Sequence, residues 1–168
     1  PMENPTVDEF GSRRSTAYAP NGAVATSQPL AAEAGVEILR AGGNAFDAAV
    51  ATAATLNVVE PTSTGLGGDV FMLYRSADGG VGAMRSCGGA PSSATRDRVR
   101  RAVADEQGVD PEAATMPETG AQAVTVPGTA RGWEATVEEF GRLALSDVLE
   151  PAIGYATEGY PVTEVIAD

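Results

Sequence analysis

Few side chains in this sequence could carry out chemistry, and the most conspicuous lie near its middle. Cys87 is the only thiol, and Arg85 stands two residues before it, at the end of an apolar run. A nearby guanidinium favours the thiolate, the nucleophilic form of cysteine. Cysteine catalysis also needs a partner base, commonly histidine, and the chain contains no histidine. A small, half-buried residue at a strand end is therefore the preferred reading of Cys87. The same absence removes Ser-His-Asp catalysis and the commonest zinc ligand from these residues. Ser63, Thr64 and Thr129 carry hydroxyls beside glycines, but no G-x-S-x-G elbow surrounds them, so they read as caps and turn formers.

The glycine-rich stretch Thr62–Asp69 (TSTGLGGD) is the second candidate. A dinucleotide fingerprint places its glycines after a strand and at the opening of a helix. Here a predicted helix precedes them and a predicted strand follows, which is the reverse order. They suit a close approach of two backbones or a ligand meeting exposed amide groups. Both readings stand at this point.

The elements that must position these residues follow from periodicity. Residues 1–20 read as an extended arm, and residues 21–168 as one incomplete domain. A short strand is predicted at Ala23–Thr26, then a helix capped by Ser27 with Pro29 in its first turn and Leu30, Ala34 and Ile38 on one face. Gly42–Gly43 ends it. Asn44, with Asp47 three residues on, caps a second helix reaching about Val58, and its sequence AFDAAVATAATLNVV is small and apolar nearly all round. Such a helix is buried on several sides. Val70–Tyr74 and Val81–Arg85 flank Asp78-Gly79-Gly80 as an antiparallel hairpin. A surface helix and loop are predicted over 95–115 and a third strand at Ala121–Val126. Further helices are predicted over Ala130–Phe140, with Trp133, Val137 and Phe140 on one face, and over Ser146–Glu158 with Ser146 as cap. The fold class is α/β in the α+β sense.

Composition narrows the function further. At 168 residues the chain fits one domain or part of one, by a prior of roughly 100–200 residues per domain. Its apolar fraction is 43%, the globular norm, but only 5% is aromatic, so burial must come from close backbone approach. The net charge is −12 and all 11 basic residues are arginine. That surface repels phosphate backbones and anionic lipids, so neither nucleic acid nor a membrane surface is an expected partner. A carboxylate-rich chain without lysine is expected of a halophile; a GC-rich genome is the other account of the missing lysines. One cysteine excludes an internal disulfide. Pro1–Gly22 lacks the apolar core of a signal peptide and no apolar run approaches ~18 residues, so the cytoplasm is the expected location. No cofactor is expected.

Four segments, read together, resemble the γ-glutamyltransferase family. They are Gly22–Leu30 (GAVATSQPL) with Glu37–Ala51 (EILRAGGNAFDAAVA), Glu60–Met72 (EPTSTGLGGDVFM), Ala90–Thr95 (APSSAT), and Val126–Trp133 (VPGTARGW) with Phe140–Leu143 and Pro151–Ile153. The string RAGGNAFDAAVA is the most specific. The resemblance implies an N-terminal-nucleophile hydrolase fold, an αββα sandwich of two stacked antiparallel sheets between helix layers. It also implies a precursor that cuts itself, freeing a threonine that acts as nucleophile with its own α-amine as base. That threonine lies beyond residue 168, so no catalytic residue is assigned within this chain, which corresponds to the amino-terminal part of the large subunit. The implied partners are the remainder of the precursor with its small subunit, and a small γ-glutamyl substrate such as glutathione.

The chain departs from the family at one place. Typical members carry an arginine a few residues before the Ala-Pro pair matching Ala90-Pro91, where it binds the α-carboxylate of the γ-glutamyl group. Cys87 occupies that place here, and Gly89 the place used by a related branch. Arg85 is the nearest guanidinium and shares a strand face with Cys87 by its two-residue spacing. Arg85 and Cys87 are therefore the candidate substrate-binding residues, although a cysteine cannot make the bidentate contact of an arginine. The expected activity is hydrolysis or acyl transfer at a γ-glutamyl amide. A cephalosporin (glutaryl) acylase-like specificity is its variant, and a non-catalytic binding or assembly remnant is the alternative from another class.

Overall fold

The computed structural model describes residues 15–167; residues 1–14 of the predicted arm lie outside them, and residues 15–19 join no helix or strand. The first helix, α1, covers Pro29–Arg40. Proline suits its first position, where the missing N–H would have had no partner. The cap differs from expectation: Gln28 is the N-cap and makes no side-chain cap bond. Ser27 instead donates its hydroxyl to Glu60 Oε2 at 2.6 Å, tying the entry to α1 to the residue that follows α2. The helix ends as its glycines dictate. Gly42 takes φ 100°, and the Gly43 N–H reaches back to the Ile38 carbonyl at 3.0 Å.

The second helix, α2, covers Ala45–Val59. The Asn44 side chain accepts from the amides of Phe46 (2.8 Å) and Asp47 (3.2 Å), while the Asp47 carboxylate accepts from the Asn44 amide at 2.8 Å. This is the reciprocal cap the Asn-x-x-Asp spacing predicts. Asp47, 0% exposed, also reaches a distant partner, its two oxygens accepting the Arg142 amide at 3.0 and 3.2 Å. Asn44 donates from Nδ2 to the Phe140 carbonyl at 2.5 Å. One end of α2 thus clamps the turn between α4 (Thr129–Phe140) and α5 (Leu145–Glu158), about ninety-five residues further on. Alanines let α2 be approached from several sides, and it packs on α1, α4 and α5. Ile38, Val50, Ala54, Trp133, Val137 and Val148 form the centre of that core.

The hairpin consists of β1 (Val70–Arg75) and β2 (Val81–Ser86), antiparallel, with Val70 opposite Ser86 and Arg75 opposite Val81. Its turn is held by the Ser76 hydroxyl and the Gly80 amide, both donating to Asp78 Oδ1. Side chains alternate. Val70, Met72, Tyr74 and Met84 face inward, towards α4, while Phe71, Leu73, Ala83 and Arg85 face outward. Tyr74 closes a ring cluster with Phe46 and Phe140, with centroids 4.6 to 5.5 Å apart. α3 (Arg96–Gln107) is the predicted surface helix, capped by Thr95 and ended by Gly108 at φ 66°. A short α6 (Glu164–Ala167) follows α5.

Three further expectations are corrected. Ala23–Thr26 is not a strand, because no other described segment offers it a ladder. Ala121–Val126 is not one either: it holds a 3-10 turn, Ala121–Ala123, entered through Gly120 at φ 95°. Its one sheet-like bond joins the Val126 amide to the Gly89 carbonyl at 3.1 Å. Ser146 does not cap α5. That helix starts a residue earlier, where the Ala144 carbonyl accepts from Asp147 and Val148 at 3.0 and 3.1 Å.

Candidate functional site

Three motif segments converge at the end of β2. The glycine loop is closed by a bond from the Gly68 amide to the Gly65 carbonyl at 3.1 Å. The Gly68 carbonyl then accepts from the Gly128 and Thr129 amides at 3.0 and 3.1 Å. Two N–H groups at the start of α4, which have no partner inside the helix, are satisfied by the loop. The Thr129 hydroxyl adds a longer bond to the Gly65 carbonyl, 3.4 Å. On the other side, the Ser86 hydroxyl donates to the Gly128 carbonyl at 2.6 Å. A Cβ on Gly128 would overlap the Ser86 carbonyl, and one on Gly88 would overlap the carbonyl of Val126. Of the two readings open for the glycine loop, its contacts with α4 are those of close backbone approach.

Arg85 and Cys87 sit at the edge of this knot. Cys87 is half-buried, and its Cα lies 3.0 Å from where a Cβ on Gly128 would stand. Arg85 is exposed, opposite Phe71 across the hairpin, and lines a shallow hollow on the outward face with Phe71, Leu73 and Ala83. Among the described residues no carboxylate lies within ion-pair distance of Arg85. A cleft of about 420 Å³ lies over the glycine loop, lined by Thr62–Gly65, Gly68, Asp69, Asn57 and Trp133. Neither Arg85 nor Cys87 lines that cleft. Ser63 and Thr64 do, and Thr129 joins them. Among the described residues, no group of three or more histidine, cysteine or carboxylate side chains is arranged to hold a metal.

Sequence reasoning missed two parts of this arrangement. Asp47 read only as a helix cap, and nothing in its local sequence announces the bond to Arg142. Ser86 lies just past the strand predicted over Val81–Arg85 and carried no role in the sequence, yet it holds α4. A serine at an inward-facing strand position, next to Gly88-Gly89, was the available signal.

The family model described as Gamma-glutamyltranspeptidase matches residues 31–168. The "Acylase ACY 1 proenzyme" of Pseudomonas sp. (strain V22) is 39% identical over 100% of this chain and 30% of its own length. The "Glutathione hydrolase-like YwrD proenzyme" of Bacillus subtilis is 43% identical over 80% of this chain and 24% of its own. Among solved structures, the cephalosporin acylase from Bacillus halodurans superposes with a TM-score of 0.82 and 45% identity, over 99% of this chain and 29% of that one. The γ-glutamyltranspeptidase of Helicobacter pylori gives 0.76 and 35%, over 91% and 42%. The α+β fold is that of these structures, and this chain spans less than a third of the length of the curated relatives it matches. With the glycine loop, the reciprocal cap of α2 and the start of α4 all inside the matched range, the chain belongs to the γ-glutamyltranspeptidase family.

Proposed function

We propose that this chain is the amino-terminal part of a self-cleaving acyltransferase or amidohydrolase that acts on γ-glutamyl amides, glutathione being the representative donor. The match over residues 31–168 carries this reading, supported by relatives that are proenzymes. In the reaction, a threonine from the part of the polypeptide outside this chain attacks the amide carbonyl. Its α-amine takes the hydroxyl proton and returns it to the leaving amine. This chain supplies the helical support, the glycine knot and one wall of the substrate pocket. Position 87 belongs to that wall, and Arg85, exposed and without a carboxylate partner among the described residues, is the guanidinium within two residues of it.

A second specificity, for glutaryl-type side chains as in cephalosporin acylases, is favoured by one observation. The cephalosporin acylase of Bacillus halodurans matches 99% of this chain at 45% identity, and position 87 is a cysteine rather than an arginine. Both specificities are tested in one experiment on the full precursor, comparing a γ-glutamyl anilide with a glutaryl anilide before and after Cys87→Arg. If the pocket reads an α-carboxylate, Cys87→Arg lowers KM for the γ-glutamyl substrate alone, by roughly 10-fold or more for one charge-assisted contact. Equal effects on both substrates refute that role for position 87. A precursor that neither cleaves itself nor turns over either anilide refutes the enzyme reading.

We also propose that the protein works at high salt, on the support of its net charge of −12 and its lack of lysine. Its melting midpoint should then rise between ~0.1 M and ~2 M KCl as self-repulsion is screened. A flat midpoint would leave codon usage as the account of the missing lysines.

A further inference from the structure

The chain has four asparagines, Asn4, Asn21, Asn44 and Asn57, and their surroundings are unlike. Asn44 is held as the cap of α2: its side chain accepts from the amides of Phe46 and Asp47 and donates to the Phe140 carbonyl. Asn57 lies inside α2, where the Val58 amide belongs to the helical ladder and the branched valine side chain crowds any approach to it. Asn4 is followed by Pro5, which has no N–H. Asn21 alone is followed by glycine.

The fold leaves that pair open. Asn21 and Gly22 are both exposed, in a turn that begins at Ala19. The turn is closed by a bond from the Gly22 amide to the Ala19 carbonyl, and at 3.4 Å that bond is long for an N–H···O contact. Gly22 takes φ 121°, a conformation open to glycine, and has no Cβ to crowd the approach of a neighbouring side chain to its nitrogen. Asp78-Gly79 is the comparable acidic pair. There the carboxylate is engaged by the Ser76 hydroxyl and the Gly80 amide, and an ionised carboxylate is a poor electrophile.

We propose that Asn21-Gly22 is a self-modification site, at which the Asn21 side chain converts without an enzyme into aspartate and isoaspartate. The Gly22 main-chain nitrogen gives up its proton and bonds to Asn21 Cγ. The Cγ–Nδ2 bond breaks, and the side-chain nitrogen leaves as ammonia with that proton. The product is a five-membered cyclic imide, which water opens at one of its two carbonyls. Opening at Cγ gives aspartate in an unchanged main chain. Opening at the Asn21 main-chain carbonyl leaves the chain running through the side-chain carboxyl, one carbon longer. Nothing is oxidised or reduced, and water is the other reactant. Both products add a negative charge to a chain already at −12. The lengthened form also meets a contact, because a Cβ on Gly22 would stand 3.2 Å from Leu39 Cδ1 of α1. The extra carbon must be taken up there, where the main chain enters Ala23–Thr26. The inference does not depend on the enzyme reading.

Incubation of the full-length polypeptide in mildly alkaline buffer, followed by tryptic peptide mapping, tests it, with a sample digested at once as the zero point. Cleavage after arginine places Asn21 in Ser15–Arg40, and Asn44 and Asn57 in Ala41–Arg75. Ser15–Arg40 should gain two acid forms of equal mass that separate chromatographically, with fragment ions placing the change at residue 21 and not at Gln28. They should appear faster at higher pH, because the attacking nitrogen must lose its proton. Their appearance should be at least about tenfold faster than conversion of Asn44, whose hydrogen bonds must break first. Asn21→Ser should remove both forms, and their persistence in that variant would overturn the proposal. Similar rates at Asn21, Asn44 and Asn57 would overturn it too. So would an acid form containing aspartate alone, since direct hydrolysis of the side chain passes through no ring. A polypeptide that stays unchanged at residue 21 while folded, yet converts in denaturant, would show the turn to be closed in the complete protein and would equally overturn the proposal.

Discussion

The two sides of this molecule are finished to different degrees. On the helical side, α1, α2, α4 and α5 bury alanine, valine and Trp133 together, and the carboxylate of Asp47 is fully enclosed with main-chain donors around it. On the hairpin side, the outward face leaves Phe71, Leu73 and Val81 at 68%, 85% and 79% exposed. A two-stranded hairpin is marginal by itself, and here it is held on one face only, by α4 and the ring cluster of Phe46, Tyr74 and Phe140. The candidate substrate-binding residue Arg85 lies on the open face. The contrast separates what this chain encloses from what it leaves open: a packed scaffold on one side, an uncovered apolar face around Arg85 on the other.

The sharpest way to break this contrast is Asp47→Ala. It leaves the Arg142 and Asn44 amides without their acceptor in a buried site and removes half of the reciprocal cap. The loss should be about 3 kcal/mol in chemical denaturation. A loss below about 1 kcal/mol would mean the clamp is not what closes the helical side. Gly128→Val comes next. Its Cβ would meet the Ser86 carbonyl, so α4 must lift off the hairpin, at about 2 kcal/mol by the usual range for overpacking. The hairpin amides should lose exchange protection first; uniform loss across all helices would show that the two sides unfold as one.

Leu73→Ser should do almost nothing in the 168-residue chain, within about 0.5 kcal/mol, because the side chain it removes is already in water. A loss above about 1.5 kcal/mol would show the outward face to be covered in solution. The smallest effect belongs to the turn. Donation from Ser76, then from the Gly80 amide, holds the Asp78 carboxyl below its ordinary 3.8. A depressed carboxyl stabilises the fold above its unfolded value and loses that contribution as pH falls through its folded one. Hairpin amide shifts should therefore titrate at a lower pH in the parent protein than in Ser76→Ala, whose midpoint moves up towards the ordinary carboxyl value. Identical titrations in both would remove the hydroxyl as the cause.

Local patterns were legible where a residue's partner is close in sequence. The Asn44–Asp47 cap, the Gly42 stop, the hairpin around Asp78-Gly79-Gly80 and the surface helix after Thr95 each depend on contacts within a few residues, and each is present. The family was legible too, because its motifs are contiguous strings. Ala23–Thr26 and Ala121–Val126 were misread because alternation and β-branched residues describe a strand's surface, while a strand exists only where another backbone pairs with it. Position 87 could be named from its distance to Ala90-Pro91, but not its surroundings.

By itself, then, the sequence determined the helices, the hairpin, the family and the lack of histidine within these 168 residues. Only the tertiary structure decided that Asp47 joins α2 to the Arg142 turn, that the Gly68 carbonyl seats the start of α4, and that Arg85 faces outward from the glycine knot. The first group depends on side-chain type and on spacings of two to four residues. The first two of the second group depend on hydrogen bonds between residues some sixty to ninety-five positions apart, and the direction of Arg85 depends on which hairpin face α4 covers; no local pattern encodes which distant amide a buried carboxylate or carbonyl will meet.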